Sequence, residues 1–435
     1  MKIGGRENVQ HINCKGVCIM IQRFRFYDAR DWFLQKRFGM FIHWGLYSIP
    51  AWQEQVIWRG HMPRKDYEPL MHQFNPVKFD PEQWLDHMQE AGMEYVCFTA
   101  KHHDGFCMWD TAYTDYKVTN SPYGKDIVAM LAEACHKRKV PFGVYYSIPD
   151  WHHKNYPAQG RHHEMFGPRA GDEPDFDLYA EYMENQVREL MTGYGEISQL
   201  FWDINVIEYE HAAFNDEIRR LQPSIVINDR GPRNGDFKTP ERHLPDGMEF
   251  PVRTEAVQSM GRESWGYRAE EDYYSHKYLM QSIDRSMAMG GNYLLNVGPR
   301  ADGTFDPRDL ESICAIGNWF HRVKESLVGT VPATTIITQA TDNMRDEVML
   351  TRRGNTIYVH AYKDIPCSAV ILKPLAVMPK RAVLLNDGRD LEAKVELIPS
   401  HHRERPYLRI RAIPVNEFSS EPMVIRLDFD ESVNA

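Results

Sequence analysis

From about residue 30 to residue 330 the chain alternates short apolar runs with amphipathic stretches. Trp84, Leu85, Met88 and Ala91 share one face of a helical repeat and precede the run 94–100. Ile127, Val128, Met130, Leu131 and Ala134 form a second such face ahead of the run 140–146. A long helical pattern over 177–194 leads into Ser198-Gln199-Leu200-Phe201. Ile218 and Leu221 precede Ile225-Val226-Ile227, and the pattern over 278–289 precedes Asn292-Tyr293-Leu294-Leu295-Asn296-Val297. Runs this apolar predict strands buried on both faces, as in a parallel sheet covered by helices. Their number and spacing predict a (β/α)8-type, TIM-like barrel over residues 20–330.

Beyond residue 330 the texture changes to short runs at 335–337, 348–350, 357–359, 369–372, 382–385, 407–410 and 423–425. Turn signals such as Arg353-Gly354-Asn355 and Asn386-Asp387-Gly388 separate them. This predicts a C-terminal antiparallel β-sandwich over 331–435.

Composition narrows the classes. Of 435 residues, 43% are hydrophobic, enough for a large interior, and 12% are aromatic, many beside His and charged residues. That mixture suits sugar recognition, although it also suits any large core. The formal charge of -10 lacks the basic footprint of a general nucleic-acid binder. No run approaches the ~20 apolar residues of a membrane span. The polar segment 1–19 carries no signal-peptide pattern and reads as a leader or start-site artefact, with Met20 as an alternative start. Seven scattered cysteines (Cys14, Cys18, Cys97, Cys107, Cys135, Cys314, Cys367) form no CxxC or zinc spacing. They point to reduced thiols and a cytoplasmic location.

In a parallel barrel the site is built from residues just after the strands. Here those positions carry Phe41-Ile42-His43-Trp44-Gly45, Lys101-His102-His103-Asp104-Gly105-Phe106, Asp150-Trp151-His152-His153, Phe201-Trp202-Asp203 and Asn228-Asp229-Arg230. One His at a strand end is more often structural than functional. Five strand ends bearing His, Trp, Tyr, Asp or Arg together point to a site.

These motifs, with Gly143-Val144-Tyr145-Tyr146-Ser147 and Gly291-Asn292-Tyr293-Leu294-Leu295-Asn296-Val297-Gly298-Pro299, resemble the α-L-fucosidases of glycoside hydrolase family 29. The likeness covers roughly residues 28–330, in order. It implies a retaining exo-α-L-fucosidase that removes terminal α-L-fucose by double displacement, with Asp203 as nucleophile. A retaining mechanism needs a second carboxyl group about 5–5.5 Å away as acid/base. Glu241, in Thr239-Pro240-Glu241, resembles that acid in some members. Glu255 resembles the acid of others, although Thr254 stands where those have Trp, which favours Glu241. The resemblance implies that His43, His102, His103, Tyr145 and Arg230 line the sugar pocket, with Phe201 under the fucose methyl. Glu54 matches a hydroxyl-binding carboxylate whose usual Trp neighbour is Gln55 here, so Trp58 or Trp52 is the candidate to replace that contact.

The expected partner is a fucosylated oligosaccharide or glycoside, with neither nucleic acid nor membrane. No cofactor or metal is expected, and family members imply a homo-oligomer. Two rival readings stand beside this one. A metal-dependent barrel hydrolase would use His102-His103 and His152-His153, but adjacent strand residues point to opposite faces and seldom serve one ion. A catalytically silent fucose-binding protein on the same fold would keep the pocket without turnover.

Overall fold

The computed structural model describes residues 24–157, 170–333, 348–372, 375–397, 406–431 and 433. The predicted leader 1–19, with Cys14 and Cys18, and the run 335–337 lie outside them.

The apolar runs form seven strands: β1 (Phe38–Ile42), β2 (Tyr95–Lys101), β3 (Phe142–Ser147), β4 (Gln199–Asp203), β5 (Val226–Ile227), β6 (Glu255–Ser259) and β7 (Asn292–Val297). All pair in parallel, in the order β5-β4-β3-β2-β1-β7-β6, and every residue in them is buried. Helices α1 (Pro81–Glu90), α2 (Ile127–Arg138), α3 (Phe176–Gly193), α4 (Ala212–Leu221), α5 (His276–Ala288) and α6 (Pro307–Val323) follow or separate them. Side chains of Asp80, Asp126, Asp175, Ser275 and Asp306 accept free N–H groups at the starts of α1, α2, α3, α5 and α6. That chemistry fixes where each βα loop ends.

The sheet curls far enough for residues of both flanks to share one core, but its edge strands do not pair. Phe41, Tyr145 and Phe201 pack with Val257 and Leu294 in one interior cluster, although β4 and β6 lie near opposite edges. The interior is layered by the register. Tyr95, Gln199, Glu255 and Asn292 form the lowest layer, at the strand starts, and the aromatic and aliphatic cluster lies above it. Asp203, Ser147, Ser259 and Asn296 lie above that. Gly39 makes room low down, because a Cβ there would stand 2.4 Å from the Tyr95 ring.

Among the described residues the barrel has seven strands, where the sequence predicts eight. Between β5 and β6 the chain makes only the isolated bridges Asn228↔Phe237, Lys238↔Thr254 and Glu241↔Val257. Two local causes interrupt an eighth strand there. Pro240 has no N–H to donate, and the Thr239 carbonyl is taken by the Arg230 guanidinium at 3.0 Å. The sheet therefore stays open at the place where Glu241 is carried.

C-terminal to this unit lie a five-stranded antiparallel sheet and a three-stranded one. The first orders β12 (Arg381–Leu384), β15 (Met423–Asp428), β10 (Thr356–Ala361), β9 (Met349–Arg353) and β8 (Val331–Pro332). The second orders β11 (Ala369–Leu372), β14 (Tyr407–Arg411) and β13 (Glu392–Glu396). Val359, Leu384 and Ile425 of one share a core with Val370, Leu372, Leu408 and Ile410 of the other.

Candidate active site

Asp203 ends β4, two residues beyond Phe201, so both face the barrel interior. Its Oδ2 accepts the Tyr145 hydroxyl at 2.7 Å, and its Oδ1 accepts Arg230 Nη1 at 3.0 Å. His103 Nε2 stands 3.8 Å from the same Oδ2. Burial raises the cost of the Asp203 charge. The Arg230 and His103 charges, with the Tyr145 and Arg230 hydrogen bonds, outweigh it and hold the carboxyl below the ordinary carboxylate range. Asp203 is thus kept ionised.

Glu241 completes a three-group arrangement. Arg230 Nη1 also lies 3.0 Å from Glu241 Oε2, so one nitrogen bridges the two carboxyls. They can be no further apart than twice that distance, a range that contains the ~5–5.5 Å of retaining glycosidases. Arg230 is itself fixed by Nε to the Thr239 hydroxyl at 2.8 Å and Nη2 to the Thr239 carbonyl. Its ring neighbour is Phe201, 5.4 Å below the guanidinium carbon.

Glu255 lies elsewhere. It opens β6, fully buried, and accepts Tyr95 Oη at 2.6 Å and Gln199 Nε2 at 2.7 Å. Gln199 starts β4 and Asp203 ends it, a separation of about 13 Å along an extended strand. Burial pushes Glu255 up to about 7, against its hydrogen bonds from Tyr95 and Gln199. The structure therefore separates the two candidate glutamates: Glu241 stands at the mouth with Asp203, and Glu255 in the floor.

The histidines line the mouth. His43 Nδ1 meets Asn296 Oδ1 at 2.6 Å, while Asn296 Nδ2 donates to the Trp265 carbonyl at 2.6 Å. Because the Asn296 oxygen only accepts, Nδ1 carries the proton. Burial brings the His43 pKa down to about 4, which keeps the ring neutral and leaves Nε2 as an acceptor. His103 Nδ1 lies 2.6 Å from Ser147 Oγ, whose own proton goes to the Pro149 carbonyl. Nδ1–H must therefore donate, which points Nε2 at Asp203. The His102 ring lies 4.1 Å from His103, stacks at 5.7 Å on Tyr145 and stands 5.8 Å from His43. The expectation that adjacent histidines point apart fails, because β2 ends at Lys101 and the pair opens a turn closed by the Gly105 N–H on the His102 carbonyl at 3.0 Å.

The rest of that motif fixes the turn. Lys101 and Asp150 are buried and joined at 3.0 Å, and Asp150 accepts the backbone N–H of His152 and His153. Burial alone would raise Asp150, but Lys101, His153 and His152 bring it down to about 2. Gly105, at φ +79°, allows this approach: a Cβ there would stand 2.2 Å from Asp150 Oδ1. Asp104 accepts the Tyr67 hydroxyl at 2.7 Å.

Two sequence-predicted residues take positions of another kind. Glu54 Oε2 accepts the Ser264 hydroxyl at 2.9 Å and the Trp265 N–H at 2.8 Å, and Oε1 accepts Gln53 Nε2. It ties down the loop that carries Trp265, whose ring lies 5.4 Å from His43. Trp58 belongs to the one-turn helix Val56–Arg59 and carries Arg59 across its ring. The rings around His43 are Phe41, His102, Tyr145 and Trp265. Sequence reasoning missed Asn296, Ser147, Thr239 and Trp265. The available signal was a polar residue two positions beyond an interior apolar one, as in Leu294 and Asn296. Among the described residues no group of three or more His, Cys, Asp or Glu side chains could hold a metal ion.

The profile of the family described as Alpha-L-fucosidase matches residues 20–325. The chain belongs to the α-L-fucosidase family. It is 28% identical to rat tissue α-L-fucosidase over 330 residues, covering 69% of the chain and 70% of that protein. It is 29% identical to human plasma α-L-fucosidase over 336 residues, covering 70% of each. Among solved structures it resembles α-L-fucosidase isoenzyme 1 from Paenibacillus thiaminolyticus, with TM-score 0.81 and 34% identity over 93% of this chain and 100% of that one. It also resembles an α-L-fucosidase from Bacteroides thetaiotaomicron solved as a trapped covalent intermediate with 2-fluoro-fucosyl fluoride in a glutamate-to-glutamine variant. There the TM-score is 0.77 and the identity 26%, over 93% of this chain and 96% of that one.

Proposed function

We propose that this chain is a retaining exo-α-L-fucosidase, with Asp203 as nucleophile and Glu241 as acid/base. The observation that carries the assignment is the single Arg230 nitrogen bridging both carboxyls at 3.0 Å. The covalent intermediate of the Bacteroides relative supports the same chemistry. Asp203 Oδ attacks the anomeric carbon and forms a glycosyl ester, while protonated Glu241 gives its proton to the leaving oxygen. Glu241 then takes a proton from water, which attacks the same carbon and releases Asp203 as carboxylate, so configuration is retained. Tyr145 and Arg230 stabilise the Asp203 charge before attack and after release.

In the pocket, neutral His43 accepts a ring hydroxyl through Nε2, and His102 and His103 meet others at the same rim. Phe201, buried beneath Arg230, supplies an apolar floor for the 6-methyl of fucose. Glu54 acts on the sugar side through Trp265, whose loop it holds. Residues 20–330 form the catalytic unit and 331–435 a supporting sandwich, acting in the cytoplasm as a homo-oligomer on fucosylated glycans.

Proton NMR during hydrolysis of an aryl α-L-fucoside tests this reading. The first-formed product is α-L-fucose; first-formed β-L-fucose, or fucose binding without any turnover, contradicts it. The second outcome would favour the silent sugar-binding protein.

A further inference from the structure

Resting on Glu241 as acid/base, we propose that Arg242 is the residue that positions this acid, by locking its backbone against the pocket wall formed by Trp265. Glu241 is the most exposed of the two carboxyls, its side chain 41% exposed against 12% for Asp203. It stands on a segment joined to the sheet by isolated bridges only. Among the described residues its one side-chain tether is the ion pair with Arg230. That tether weakens when Glu241 takes up the proton it must deliver, since the negative charge is then gone. In its working form the acid depends on its backbone for placement.

Arg242 supplies that placement. Its N–H donates to the Val257 carbonyl at 3.0 Å, next to the bridge between Glu241 and Val257. Its φ is +59°, a left-handed conformation that costs every residue but glycine backbone energy. Glycine would suit the turn; what arginine adds is the side chain. The guanidinium carbon lies 4.6 Å from the centre of the Trp265 ring, and Nη1 donates to the carbonyls of Arg262 at 2.8 Å and Gly261 at 3.3 Å. Planar stacking with two carbonyl acceptors suits guanidinium and not ammonium. The loop so gripped is the one Glu54 and Asn296 hold from the other side. Arg242 thus joins the acid to the wall beside His43, and the acid moves only if that wall moves with it.

The test uses Arg242→Gly, which accepts the left-handed turn freely and deletes only the side chain. It is assayed on 2,4-dinitrophenyl α-L-fucoside, whose leaving group needs no proton, and on a fucosyl disaccharide, whose leaving group does. Loss of acid placement lowers kcat/KM for the disaccharide about 100-fold and leaves the dinitrophenyl fucoside within about threefold. Arg242→Lys shows the same selectivity to a smaller degree. Equal losses on both substrates mean a general structural role and overturn the proposal, as does no loss on either. If the unaltered enzyme hydrolyses neither, it is the fucosidase reading that fails.

Discussion

The mouth and the floor of the barrel each hold a carboxyl network, partly exposed at Glu241 and fully buried at Glu255, and under the proposed mechanism the contrast between them separates catalysis from architecture. At the mouth, Asp203 and Glu241 share an arginine, Tyr145 adds a hydroxyl donor, and His103 Nε2 stands 3.8 Å from Asp203 Oδ2. In the floor, Glu255 has only neutral partners among the described residues, Tyr95 and Gln199. Glu255 is the carboxyl whose pKa is pushed up to about 7, the value usually sought in a general acid. It has no route to substrate, because the interior layer of Phe41, Tyr145 and Phe201 lies above it. A raised pKa marks burial; what marks the acid is a second carboxyl within reach of the nucleophile.

The largest effect expected from breaking this contrast is at the nucleophile. Asp203→Gly lowers turnover by about four orders of magnitude or more, with circular dichroism and melting temperature near those of the parent. Near-normal activity would remove Asp203 from its role. Next comes Tyr145→Phe, which deletes a hydrogen bond to a charged group worth about 1.5–3 kcal/mol. If that bond acts fully in the transition state, kcat/KM falls roughly 10- to 100-fold. An unchanged rate would show that the Tyr145 bond contributes nothing to the transition state.

The smallest effect on activity belongs to the floor, where the readout is stability. The folded pKa of Glu255 lies above its unfolded value, so the folded state binds the extra proton between about pH 4.5 and 7. Its contribution is fully present below the unfolded pKa and is lost as pH rises through about 7. Glu255→Gln keeps a neutral group at all pH, and the Gln199 amide can turn its oxygen, which has no hydrogen-bond partner among the described residues, toward it. The melting temperature of this variant should fall less than the parent's between pH 5 and 8, with catalysis little changed. An unaltered pH slope would show that Glu255 does not titrate there. Asp104 and Asp309, also raised to about 7 by burial, supply the slope that remains.

Most strands were legible because both of their faces are buried, which leaves long apolar runs such as residues 292–297. β6 was not. Its sequence, Glu-Ala-Val-Gln-Ser, reads as a polar loop, because Glu255, Gln258 and Ser259 are polar and leave an apolar run of only Ala256 and Val257. β13, Glu-Ala-Lys-Val-Glu, escaped notice for a simpler reason: it is half exposed. The eighth barrel strand was expected from counting, and local chemistry at Thr239 and Pro240 removes it. At the site, His43, His102, His103, Asp203 and Arg230 were visible from their positions after apolar runs. The choice between Glu241 and Glu255 was not, since only the fold decides which end of the barrel each occupies. The interior position of Asn296 could be read from its spacing to Leu294, but Trp265 and Asn296 gain their meaning from partners 211 and 253 residues away, Glu54 and His43.

The division between mouth and floor is tested most directly by azide rescue of the two glutamate variants on 2,4-dinitrophenyl α-L-fucoside. In Glu241→Ala the fucosyl–Asp203 ester accumulates, and azide should take the place of activated water, raising the rate and giving fucosyl azide of retained configuration. Glu255→Ala should show no acceleration and no azide product. Rescue of Glu255→Ala, with Glu241→Ala indifferent to azide, would contradict the assignment of the acid to the barrel mouth.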